Sequence, residues 1–310
     1  MIGPYPTVWM GHYVHEPGTR PATGYPALRP DQLASLLDEV GRTGTPVGWP
    51  EVRDAIQGHS ELPRDAVLLT FDDGLMDHFR TVLPALVARE IPAVFFALAR
   101  EPRDGLALGH QLHVLLGVMS PSELGEAVAE RLPRAARADY RAQVHAELRR
   151  GLAAGSDAHD AADPWKRPLQ RDLADVAGPV LSALVRERLG PEDDLARELY
   201  LGKRELAEIA AAGHTIGGHG RDHPWLDVVD LAARRREVAA SAELAAAYSS
   251  GSWPFAYPYG GVPPRAGDLL RKAGFTAAFT TSPRERRGAF RIGRYDVDAG
   301  TTSWTGTPTR

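Results

Sequence analysis

Two short stretches carry side chains able to do chemistry together. In L-L-T-F-D-D-G-L-M-D-H-F (residues 68–79) two carboxylates, Asp72 and Asp73, end an apolar run and a glycine follows. Adjacent acids repel, so the pair either caps a turn or shares a positive charge. In I-G-G-H-G-R-D-H-P-W-L (residues 216–226) His219 and His223 stand four apart. On a helix that spacing would put both imidazoles on one face. Gly217, Gly218 and Gly220 weaken a helix, and Pro224 pushes His223 out of the α region, so a tight loop at a strand end is expected. Two neutral imidazoles and one carboxylate make a three-ligand set for Zn2+ or a similar divalent ion, with positions open for water and substrate. Such a cation would also relieve the repulsion between Asp72 and Asp73.

Elements far apart in the chain must bring these residues together. Apolar runs at 7–14 (T-V-W-M-G-H-Y-V), 66–71, 93–98, 214–219, 252–257 and 276–281 read as buried strands. Helix-patterned stretches lie between them, at 31–40, 78–90, 203–213, 231–248 and 264–274. Strands and helices in alternation, with strands apolar on both faces, predict a parallel α/β sheet or barrel. On a barrel the strand ends converge on one face, so distant segments can share a site. From about 100 to 200 no strong strand appears, while charged, Ala-rich helical segments do. This reads as a helical insertion, with a looped break at 153–168, serving as a lid or as an association surface for a homo-oligomer.

Composition narrows the function classes. The chain has 310 residues, 43% hydrophobic and 25% charged, as an ordinary globular protein does. A net charge of -4 gives no footprint for nucleic acid. With no cysteine, any metal must be held by His, Asp or Glu. No apolar run reaches membrane-spanning length, and the N-terminus lacks a signal-peptide pattern, so a cytoplasmic location is expected.

The motifs resemble those of the polysaccharide deacetylases with the NodB-homology domain, carbohydrate esterase family 4. T-F-D-D-G stands at 70–74, H-G-R-D-H-P at 219–224 has the form H-[ST]-x-x-H-P with Gly for Ser/Thr, and F-A-Y-P-Y-G at 255–260 is similar to a variant of R-P-P-Y. The resemblance covers roughly 1–100 and 200–300, not the insertion. It implies a distorted (β/α) barrel of about seven strands, and with the helical insertion at about 100–200 the chain reads as one domain over 1–310. It further implies one divalent metal, Zn2+ first and Ni2+ or Co2+ next, held by Asp73, His219 and His223. Asp72 would then be the general base, and the backbone N–H of Tyr259 would help hold the oxyanion.

The chain departs from the family pattern twice. The R-P-P-Y arginine that orients the base has no counterpart, since position 256 is alanine and 257 is tyrosine. The late L-x-H motif, whose histidine protonates the leaving amine, is also missing, because no histidine follows His223. His12, ending the first predicted strand, is the expected replacement, set against an equal reading as a structural histidine bonded to a loop; protonation by solvent, or by His113 of the insertion, comes next. His110 and His113 read first as structural helix-face histidines, with lining the site from the insertion as the alternative. His15, His59, His145, His159 and His214 read as solvated or turn residues, and Asp77 and His78 as the first turn of a helix.

The expected function is removal of an acyl group, acetyl first, from an N-acylated amino sugar or a small glycosylated metabolite, so the partner is a small-molecule or glycan substrate. Hydrolysis of another small linear or cyclic amide is the neighbouring expectation. A non-catalytic, metal-containing sugar-binding protein is the contrasting one, and Asp72 argues against it because a metal binder has no use for a base.

Overall fold

A computed structural model describes residues 5–154, 166–249, 251–285 and 288–297. The expected break at 153–168 lies largely outside these, as do His159 and the side chain of His145.

Among the described residues eight parallel strands form the sheet: β1 (Thr7–Gly11), β2 (Thr45–Pro46), β3 (Ala66–Phe71), β4 (Ala93–Ala97), β5 (Thr215–Gly218), β6 (Trp253–Ala256), β7 (Phe275–Phe279) and β8 (Tyr295–Asp296). Their order is β7-β6-β5-β4-β3-β1-β8, with β2 beside the start of β3. The segment leading into β8 spans the two ends of that order. Ile292 bridges to Phe279 of β7, and Tyr295 and Asp296 pair with Trp9 and Met10 of β1. The result is the distorted (β/α) barrel expected. The six long apolar runs all become strands, while β2 and β8 add two strands of two residues each.

Side-chain alternation along each strand decides what faces the interior. Val8, Leu68, Val94, Phe96, Ala256, Ala277, Phe279 and Ile292 form the interior cluster. Leu69, Phe71, Phe95 and Ile216 point the other way, into the layer covered by the helices Pro30–Thr43 and Lys203–Ala211. Continuing the inward parity past the strand ends brings Asp72 (after Leu68 and Thr70), His12 (after Val8 and Met10) and His219 (opposite in parity to Ile216) to the same mouth of the barrel.

The insertion is helical throughout its described part, with helices Leu108–Leu116, Pro121–Arg131, Arg134–Ala154, Lys166–Gln170, Ala174–Leu189 and Glu192–Leu199. Its core of Leu112, Leu124, Leu181 and Leu184 is continuous with Tyr13, Leu75 and Leu98 at the C-terminal ends of the barrel strands. It therefore packs on the mouth, where a lid would lie. Three expected details change. The stretch after T-F-D-D-G opens as a π-helical turn (His78–Val82) before its α-helix. His214 is 7% exposed and packs on Phe95, so it is a core residue and not a solvated one. His15 is partly buried and bonded to Asp77 at 2.7 Å.

Candidate metal centre and active site

Every residue of T-F-D-D-G has a separate physical task. Thr70 Oγ1 donates to the Trp9 carbonyl (2.7 Å), fastening β3 to β1. Phe71 stacks on Phe95 on the helix-covered side. Asp72 continues the ladder, its N–H bonded to Gly11 O at 2.9 Å. Asp73 turns the chain with φ 74°, which turns its carboxylate toward the mouth beside that of Asp72. Gly74 has φ 64°, and a Cβ there would lie 2.9 Å from that of Ala97, so no other residue fits.

The histidine loop is held as firmly. His219 follows β5, and its Nδ1–H donates to Ala256 O at 2.9 Å. That bond fixes the tautomer and leaves the Nε2 lone pair facing the mouth. Ser241 accepts the Gly220 N–H at 2.8 Å, and Glu237 accepts those of Arg221 and Asp222 at 2.6 and 2.9 Å. His223 is out of the α region, as its proline neighbour requires, but in the left-handed region, with φ 56°. Burial drives its imidazole pKa down to about 3, so it is neutral and able to offer a lone pair.

Three atoms converge. Asp73 Oδ1 lies 3.4 Å from His219 Nε2 and 3.4 Å from His223 Nε2, and the two nitrogens are 3.2 Å apart. Metal–ligand bonds of about 2.0–2.1 Å at tetrahedral angles place ligand atoms about 3.3–3.4 Å from one another. Asp73 Oδ1 is buried and has no hydrogen-bond partner among the described residues. Burial raises the Asp73 carboxyl, but His110, His219 and His223 outweigh it and hold the group well below the usual carboxylate range. An ionised oxygen with nothing bound to it, facing two imidazole lone pairs, fits a divalent cation.

Asp72 stands outside this triangle, its Oδ2 3.8 Å from His219 Nε2. The cation beside it is a side chain. Arg294 is fully buried and grips Asp72 in a bidentate fork, Nη1 on Oδ1 and Nη2 on Oδ2, both at 2.6 Å. Its Nε donates to Thr280 O (3.0 Å) and its Nη1 also to Thr70 Oγ1 (3.1 Å). Burial raises the Asp72 carboxyl, Arg294 and then His219 lower it, and the net is a lowered pKa. This corrects two expectations. The arginine missing from F-A-Y-P-Y-G has a counterpart, supplied by the segment that spans β7 and β1. The repulsion between the two acids is also not left to a bound ion alone, because the Arg294 guanidinium neutralises Asp72.

The other expected residues lie around this centre. His12 is half-buried, its ring 6.0 Å from that of Tyr25, and near enough to Asp72 to lower its pKa. His78, buried, donates Nε2–H to the His12 carbonyl at 2.9 Å, and the Asp77 carboxylate accepts the Val14 N–H at 3.3 Å. The residues expected only to open a helix thus fasten the turn carrying His12. Tyr259 has φ 56°, and its ring packs 4.4 Å from His223 and stacks 4.9 Å from Trp225. Asp73, His223 and Tyr259 are three of the five non-glycine residues with positive φ among the described residues. Left-handed backbone at such residues costs of order 1–3 kcal/mol and persists where the surroundings over-determine it. The insertion reaches the same place, since a Cβ on Gly109 would lie 2.6 Å from the Tyr259 hydroxyl.

Comparison with known proteins bears on the family and the fold. The polysaccharide deacetylase family profile matches residues 59–161 and 184–278, so the likeness runs well into the insertion, beyond the motif-bearing parts. Two poly-beta-1,6-N-acetyl-D-glucosamine N-deacetylases, from Escherichia coli K12 and O157:H7, are 44% identical over 50 residues, which is 16% of this chain. The matched part spans 7% of those relatives' length. Among solved structures, the de-N-acetylase from Aggregatibacter actinomycetemcomitans superposes with a TM-score of 0.59 at 15% identity, covering 96% of this chain and 97% of that one. The Streptococcus pyogenes deacetylase PplD in complex with acetate gives 0.56 at 14%, covering 94% and 92%. At such identities the likeness is one of fold.

Proposed function

The chain belongs to the polysaccharide deacetylase family, and from that premise we propose that it is a metal-dependent N-deacetylase acting on an N-acetylated amino sugar. One observation carries the reading: a carboxylate fixed by a buried arginine stands beside, but outside, a triangle of ligand atoms sized for a tetrahedral divalent ion. Asp73, His219 and His223 would hold the ion, Zn2+ before Ni2+ or Co2+. When bound, it supplies Lewis acidity toward an acyl oxygen and toward water.

The chain's own residues do the rest. Asp72, kept ionised by Arg294 and free of the ligand triangle, takes the proton of the attacking water. The Tyr259 N–H, on a backbone locked at positive φ, is the donor proposed for the developing oxyanion. His12 gives a proton to the departing amine. A sugar-binding protein without catalysis would have no use for a buried arginine spent on a carboxylate that binds no ligand. The sugar class is carried over from the family, and the N-acetylglucosamine polymer named for the Escherichia coli relatives heads the substrates to try.

Acetate release should be measured on N-acetylglucosamine oligomers, N-acetyl sugars and sugar nucleotides, with and without chelator. Release that needs metal is expected on at least one of them, and none on any would defeat the reading. His219→Ala, which deletes one vertex of the triangle, is expected to leave purified protein with little bound metal. Full occupancy in that variant, read by elemental analysis, would move the centre elsewhere.

A further inference from the structure

Among the described residues of the insertion, one side chain bonds directly to a ligand of the triangle. His110, on the helix Leu108–Leu116, is 1% exposed. Its Nε2 lies 3.1 Å from Asp73 Oδ2, and its Nδ1 lies 2.7 Å from the Tyr200 hydroxyl. That hydroxyl also accepts the Ala107 N–H at 3.0 Å. Asp73 is ionised and can only accept, so His110 must carry its proton on Nε2. Nδ1 then accepts the one proton the Tyr200 hydroxyl has to give. The chain of donors is complete: Ala107 to Tyr200, Tyr200 to His110, His110 to Asp73.

The bond to Oδ2 has a consequence at Oδ1. With one oxygen occupied, the other is the single atom of Asp73 left to face His219 and His223. His110 therefore selects which oxygen ligates and holds the carboxylate against rotation. Tyr200 is placed by the turn it serves. Leu75 and Tyr200 form an antiparallel bridge, and the Leu201 N–H donates to Gly74 O at 2.8 Å. The first helix of the insertion and its exit thus both close on T-F-D-D-G.

We propose that His110, oriented by Tyr200, is a positioning residue for the metal ligand Asp73, and that the insertion is thereby part of the metal centre. This rests on the reading of Asp73, His219 and His223 as the ligands. Hydrogen-bond partners of ligating groups hold their geometry, and losing one weakens metal binding by roughly 10–100-fold.

The test is Zn2+ affinity, measured on the metal-free full chain by competition with a chromophoric chelator. His110→Leu is expected to weaken binding roughly 10–100-fold. His110→Gln, whose side-chain amide can present an N–H near the place of the imidazole Nε2, is expected to recover most of that loss. Tyr200→Phe, which removes one oxygen atom, should fall between them. Thermal unfolding of the metal-free variants separates loss of affinity from loss of fold. Wild-type affinity in folded His110→Leu would overturn the proposal. So would equal losses in the Leu and Gln variants, since shape and not the donor would then matter. If His110→Leu does not fold, unchanged affinity in Tyr200→Phe overturns it, and a weakened one supports it. Failure of the ligand reading looks different: the unsubstituted chain would bind no Zn2+, or His219→Ala would bind it as well.

Discussion

Asp72→Asn is expected to lower turnover by roughly 100-fold or more, the usual size of a lost general base, while bound metal stays close to that of the unsubstituted chain. The two readouts separate because Asp72 lies outside the triangle, its Oδ2 3.8 Å from the His219 Nε2 vertex. The geometry adds a second effect. Arg294 is fully buried, and an amide leaves its guanidinium without a counter-charge. Breaking a buried ion pair from one side costs about 3–5 kcal/mol. Asp72→Asn with Arg294→Met should therefore be less destabilised than the two single losses added together.

The reverse deletion has its own signature. In Arg294→Met the burial that raises the Asp72 carboxyl loses its main opponent. A base works only when ionised, and its ionised fraction falls as pH falls through its pKa. A raised pKa thus moves the acid limb of kcat/KM to higher pH. A metal-loaded, folded Asp72→Asn protein with wild-type turnover would remove Asp72 from the mechanism. An Arg294→Met variant with an unmoved acid limb would reduce the arginine to scaffolding.

Arg294 also marks where the sequence stopped being legible. Asp72, Asp73, His219 and His223 sit in compact motifs, and the strands that deliver them are apolar runs long enough to show a period. Arg294 lies in F-R-I-G-R-Y-D-V, one arginine among several, ahead of a strand of two residues. A two-residue strand has no periodicity, and its role depends on β1 and β7 being brought to either side of it. One signal was present: two adjacent buried acids need more than one compensating charge, and a three-ligand ion satisfies only the one that ligates. His110 and Tyr200 were hidden for another reason. They are 90 residues apart, in a region whose helices read as charged and Ala-rich, and their meeting depends on the insertion's two ends closing on one turn. A lone histidine before a strand, as at His214, carries no mark of burial in the sequence.

The proton needed by the leaving amine has few possible sources among the described residues. His219 and His223 present Nε2 to the ligand triangle, and His110 is engaged at both nitrogens. Burial holds the His113 imidazole well below its ordinary pKa, and its Nδ1 meets the Tyr13 hydroxyl at 3.1 Å, which counts against it as the donor. His78 is buried and spends its Nε2–H on the His12 carbonyl, and His214 packs on Phe95, on the far side of the sheet. His15 is bonded to Asp77 at 2.7 Å and His59 is exposed in the turn after the helix Trp49–Ile56, whereas His12 is half-buried on the inward parity of β1. His12→Ala is expected to bind metal normally and to cleave the amide roughly 100-fold or more slowly. An acid must be protonated, and that fraction falls as pH rises through its pKa, so the alkaline limb of the wild-type profile should be altered in the variant. The substrate supplies a further control. An activated acetyl ester, such as 4-nitrophenyl acetate, expels a leaving group that needs no proton. If it is a substrate, the variant should hydrolyse it nearly as fast as the wild type does. Equal losses on ester and amide would show that His12 shapes the site without donating, and an undiminished rate on the amide would pass the role to solvent.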